Sequence, residues 1–121
     1  AAADVISDRK AGFKGNVKAL KAIQAAMSSG DMETIAASAR SVADWSARMT
    51  DYFPEGSDTG DTNARAEIWF DFDDFTLKAK DAENAALALA SLAEAGQQDQ
   101  IMDGLKTLSG TCKACHSSYK N

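Results

Sequence analysis

Histidine occurs once among the 121 residues, proline once and cysteine twice. Each scarcity excludes something. One histidine with two cysteines falls short of the four ligands that a closed zinc site takes. It also leaves no second imidazole for proton transfer beside a metal. A single proline against abundant alanine favours helix through most of the chain. No apolar run approaches the ~20 residues of a membrane span. A basic face is missing too: at a net charge of −5 nothing resembles a nucleic-acid groove. The opening Ala1-Ala2-Ala3-Asp4 has neither the charged start nor the apolar stretch of a signal peptide, and reads as the small-residue end that signal cleavage leaves. The length suits one domain, 1–121, with one core.

What is present is concentrated. Both cysteines and the histidine stand in Cys112-Lys113-Ala114-Cys115-His116. Cys-x-x-Cys-His is the attachment signature of a c-type haem: each thiol adds across a vinyl group to form a thioether, and the adjacent imidazole binds the iron. On a helix the two cysteines share a face, with His116 about 100° further round and one turn above Cys112. A thioredoxin-like redox pair belongs with a βαβ pattern, and no strands are read here. A structural disulfide is the plain alternative, but cysteines three apart on a helix are poorly placed for one, and it leaves His116 without a role. In bacteria, c-type maturation takes place outside the cytoplasm, so the motif implies a periplasmic protein.

Apolar spacing predicts four helices. The first runs from about Asp4 to Ser28 on Ile6, Phe13, Val17, Leu20, Ile23 and Met27. Gly30 stops it and Asp31 caps the second, from about Met32 to Tyr52. Ile35, Val42 and Met49 form one heptad line there, Trp45 and Tyr52 another. Pro54 opens a polar loop over 54–62 without an apolar side chain, expected to cross an end of the bundle near the cofactor edge. The third helix is expected from about Asn63 to Ala95. Its stripe starts bulky at Ile68, Phe72 and Phe75 and turns small at Ala79, Ala82 and Ala86; aromatic residues fill space where helices diverge. The fourth runs from about Gln97 to Lys120. Its seam, Ile101, Leu105, Leu108, Cys112, Cys115 and Tyr119, puts both cysteines on the core side, with Gly104 and Gly110 as candidates to make room for a ring.

A haem motif in the last helix differs from the usual small cytochromes c, which carry it near the N-terminus with a methionine ligand far downstream. Further pieces add to this: Tyr119-Lys120 behind the motif, Phe53-Pro54-Glu55-Gly56-Ser57, Ala66-Glu67-Ile68-Trp69 followed by Asp74-Phe75, and Arg9 with Phe13 one turn on. On these the chain resembles the cytochrome c′ family, the class II cytochromes c, over nearly its whole length. Cytochrome c′ is itself a standing example of an up-down-up-down bundle. The resemblance therefore implies an all-α, antiparallel up-down-up-down four-helix bundle with one haem c, thioethers at Cys112 and Cys115, and His116 on the iron. The family usually has a basic residue, often Arg, four after the histidine. Here it is Lys120, a mobile point charge in place of a planar guanidinium. Arg9 matches a family arginine near the haem propionates; on its own it reads as a solvated helix residue.

The sixth iron position decides function. Iron closed by a second protein ligand suits electron transfer, and iron with an open face suits small-molecule binding. In low-spin members of the family the second ligand is a methionine about one turn after the Arg9 position, where this chain has Phe13. Met27 and Met32 lie four or more turns beyond Arg9, at ~5.4 Å per turn. Lys10 and Lys14 would have to be buried neutral, which is costly. The expectation is a five-coordinate, high-spin haem whose distal face is covered by Phe13 with help from Val17 and Trp69 or Phe72. The resemblance implies binding of NO and CO, one-electron transfer with an unidentified redox partner, and a homodimer through the first two helices, with alanines 25, 26, 36, 37 and 39 as small contacts. The alternative is a closed, low-spin electron carrier. A haem enzyme such as a peroxidase or NO reductase is disfavoured, because the one histidine serves the iron and Phe13 cannot transfer protons.

Overall fold

The computed structural model describes residues 2–120, with side chains from Asp4 onward. Ala1, where the mature-end expectation begins, lies outside the described residues. The helices are α1 (Ala2–Ser29), α2 (Met32–Arg48), a one-turn α3 (Glu67–Phe70), α4 (Phe72–Glu94) and α5 (Ile101–Tyr119). The four long ones form a four-helix bundle. Gly30, at φ 69°, reverses the chain after α1. Asp31 caps α2 as expected, accepting from the Thr34 N–H at 3.1 Å and the Thr34 hydroxyl at 2.6 Å. Gly96, at φ 70°, turns the chain after α4.

Three helices differ in their bounds from the sequence reading. The second helix is α-helical only to Arg48 and tightens to a 3-10 turn over Met49–Tyr52. A residue before proline is pushed out of the helical region, and Phe53 duly sits at φ −125°, ψ 56°. The third helix does not start at Asn63. Residues 63–66 are drawn instead to the chain's far end: Ala64 bridges Lys120, and the Arg65 N–H donates to the Tyr119 carbonyl at 3.0 Å. Helix begins at Glu67, breaks at Asp71 (φ −137°, ψ 53°) and resumes at Phe72 with Asp73 and Asp74 in its first turn, where carboxylates suit the helix dipole. The last helix is preceded by a 3-10 turn, Gln98–Gln100, and ends at Tyr119, because Lys120 is extended by its bridge to Ala64.

The core has two halves. One is aliphatic: Ile23, Ile35, Val42, Leu89, Ile101 and Leu108 with eight alanines between them, Ala39, Ala86 and Ala90 fully buried. The other is aromatic: Trp45, Phe53, Phe75 and Tyr119 with Met49 and Ile68. The bulky-to-small stripe on α4 runs from the second half into the first. α2 packs most extensively on α4, α1 on α2, and α4 on α5. α1 and α5, the first and last helices, are not among the closely packed pairs. Gly104 sits where α4 and α5 approach, since a Cβ there would meet Leu89 at 3.0 Å and Leu92 at 3.1 Å. Its role is therefore helix contact, whereas a Cβ on Gly110 would meet nothing.

Candidate functional site

Cys112 and Cys115 are free thiols, each partly buried, on the inner side of α5. They divide between the halves of the core: Cys112 packs against the aliphatic cluster and Cys115 against the aromatic one. Burial raises both thiol pKa values, and the neighbouring Cys112 helps push Cys115 up to about 11. His116 is exposed, one step round the helix. Partial desolvation and the Lys120 ammonium lower its pKa, which favours the neutral imidazole that ligates metals. Among the described residues no three His, Cys, Asp or Glu side chains gather as a metal-ion site. The donor set is thus two thiols and one imidazole, with α1 and α5 free of close mutual packing in front of them. This suits a flat apolar group fixed by its edge better than an ion in a cage.

The aromatic half supplies the surroundings. Phe13, Trp69 and Phe72 all pack against the cluster that also receives Cys115. The Phe13 ring stands edge-on to Trp45 at 5.4 Å and near Phe53 at 6.4 Å. Trp69 is tied to the loop, its indole N–H donating to the Phe53 carbonyl at 2.9 Å, and Phe72 lies 5.7 Å from Phe75. Val17 does not join them; it is 53% exposed on α1. Sequence reading missed two members. Trp45 was seen only as a seam residue, yet it rests on Gly12, where a Cβ would come within 2.5 Å of the indole. Its Nε1 is buried without a hydrogen-bond partner. Met49, read only as a heptad residue, is buried in this cluster. A large residue facing a glycine on the next helix was the available signal for the first; nothing local marked the second.

Arg9 is neither solvated nor loosely placed. It is 2% exposed, and its terminal nitrogens donate to the Tyr52 carbonyl (3.1 Å), the Ser57 hydroxyl (2.7 Å), the Ser57 carbonyl (2.5 Å) and the Thr62 hydroxyl (3.0 Å). The guanidinium also lies 4.4 Å over the Phe53 ring. Lys10 adds an outer tie to Asp61 at 2.9 Å. Residues 53–66 are therefore strapped across α1 at one edge and to the end of α5 at the other. At that second edge the Tyr119 hydroxyl donates to Asp74, which also accepts from Lys78 at 2.8 Å. Burial, and then Asp74, raise the Tyr119 pKa; hydrogen bonds from Lys78 and Tyr119 lower that of Asp74. The loop thus ends beside the helix turn that carries the motif.

A family model described as Cytochrome C' matches residues 4–120. Cytochrome c′ of Rhodospirillum rubrum is 48% identical over 69 residues, which are 56% of this chain and 47% of that protein, so the match spans about half the relative's length. Cytochrome c-556 of Agrobacterium tumefaciens (strain B2A) is 33% identical over 107 residues, covering 88% of this chain and 85% of the relative. The solved structure of cytochrome c′ from Shewanella frigidimarina aligns with a TM-score of 0.90 at 32% identity, covering 100% of this chain and 97% of that one.

Proposed function

Because the chain belongs to the cytochrome c′ family of haem c proteins, we propose that it binds NO and CO on a five-coordinate, high-spin iron and also passes single electrons, in the bacterial periplasm. The haem c attaches covalently through Cys112 and Cys115, and it supplies an iron that cycles between ferric and ferrous and takes diatomic ligands. The residues act around it. His116, the one histidine, is the iron ligand, its pKa lowered by partial desolvation and by Lys120. Phe13, Trp69 and Phe72 exclude water from the other side. Arg9 organises the loop that closes the edge, with Val17 on the exposed flank of α1. The observation that carries this reading is the presence of Phe13, which cannot bind iron, in the cluster beside Cys115. Neither Phe13 nor any second histidine can relay protons there, which favours a binding and carrier role over an enzymatic one.

The observation that favours a second reading is Met49, buried in that same cluster. A thioether on the iron would close the site and leave an electron carrier alone. The ferric EPR and absorption spectra at neutral pH decide. A high-spin signal is expected, unchanged in Met49→Leu. A low-spin spectrum with a methionine-to-iron charge-transfer band, lost in Met49→Leu, would sink the open-face reading.

A homodimer through α1 and α2 is part of the proposal. Ala26, Ala36 and Ala39 are buried inside the subunit and are not available to it; Ala25, Ala37 and Val17 are exposed. Sedimentation of the haem-loaded protein with and without CO should show a dimer, and a monomer at all concentrations would refute it. Among the described residues no helix is long and apolar enough to cross a membrane.

A further inference from the structure

Among the described residues, the Trp45 indole nitrogen is the buried side-chain polar atom that no protein group satisfies. A buried donor without a partner costs about 1–3 kcal/mol, and folded proteins seldom leave one so. The reason is visible in its surroundings. Trp45 is 6% exposed and wedged over Gly12, against the edge of Phe13 and beside Tyr52 at 5.0 Å between ring centroids. A glycine and aromatic faces offer the N–H no side-chain acceptor. The space over Gly12 holds the ring where it is, because the indole fills what a Cβ would occupy. Yet the same ring belongs to the cluster that receives Cys115, and it touches Phe13.

A haem fixed at Cys115 brings few acceptors: the propionates at its edge and whatever ligand sits on the iron. Phe13 covers the iron's open face in the reading above, and Trp45 is the donor next to Phe13. We propose that the Trp45 indole N–H donates a hydrogen bond to the ligand bound on the open face, and that it tilts the site toward ligands that carry negative charge outward. Bound NO and dioxygen accept such a bond better than CO does. Trp45 would thus be a specificity-determining residue in a pocket whose other walls are apolar. This rests on the open-face reading.

The test uses the haem-loaded ferrous protein with CO, whose C–O stretch falls when a donor points at the ligand. The native protein is compared with Trp45→Phe and with a variant carrying 3-benzothienylalanine at position 45, which keeps the indole's shape and lacks the N–H. Both changes should raise the stretch and lower the NO-to-CO affinity ratio by roughly three- to tenfold, the worth of one hydrogen bond. The shape-matched variant guards against a Trp45→Phe protein that misfolds over Gly12. An unchanged stretch in both overturns the proposal, whether the N–H then serves a propionate or a buried water. Failure to form any CO adduct overturns the open-face reading itself, and this inference with it.

Discussion

At the scale of single residues, Arg9 shows how much one buried charge can organise. Its hydrogen bonds join α1 to acceptors 43 to 53 positions further along the chain. Removing the guanidinium strands the Tyr52 and Ser57 carbonyls inside the protein. Arg9→Leu should therefore cost about 3 kcal/mol in denaturant unfolding, and should open the loop to proteolysis near Gly56 and Gly60. Arg9→Lys should recover only part of this, since one ammonium cannot span the acceptors of a planar fork. Equal stability in all three proteins would contradict the clamp. The sequence marked Arg9 as special by its place before Phe13, but its role was illegible. Ser57 and Thr62 look like solvated loop residues until the fold brings them to α1. Cys112, Cys115 and His116 were legible because their chemistry is local, set within five consecutive positions.

At the scale of elements, the long helices could be read because their apolar period is a property of the segment itself. The departures arose where a distant partner competes for the backbone. The apolar pattern starts the third helix near Asn63, yet the pairing of residues 64 and 65 with 119 and 120 holds that stretch extended. The break at Asp71 has no proline or glycine to announce it. Close helix approach is equally non-local, and α1 offers an internal control. Gly12 and Gly15 are both interior to the same helix, but only Gly12 faces the Trp45 indole. Gly15→Ala should stabilise the protein by up to about 1 kcal/mol through helix propensity. Gly12→Ala makes the same local gain and should still destabilise by about 1–3 kcal/mol, because the indole must move. Thermal unfolding of the two variants would show opposite shifts in Tm; shifts of the same sign would mean that Trp45 is not held as described.

For the whole molecule, the joint between the loop, α4 and α5 sets how stability responds to pH. The Asp74 carboxyl titrates below its ordinary 3.8 when folded, so its contribution is present above that value and is lost as pH falls through the folded pKa. The Tyr119 hydroxyl titrates above its ordinary 10.0, so its contribution is present below that value and is lost as pH rises toward the folded pKa. This joint should make Tm fall at both extremes of pH, below the Asp74 limit and above the Tyr119 limit. Tyr119→Phe should flatten the alkaline edge and shrink the acid decline. An alkaline edge unaltered in the variant would place its origin elsewhere. A different consequence follows from the division of the two thiols between the aliphatic and aromatic halves of the core. A cofactor bonded to both is a covalent staple across them, and it stays with the chain when the chain unfolds. Each refolding attempt then starts with its largest apolar surface already attached. Loss of cofactor, the usual irreversible exit for a protein that holds its haem by packing alone, is closed.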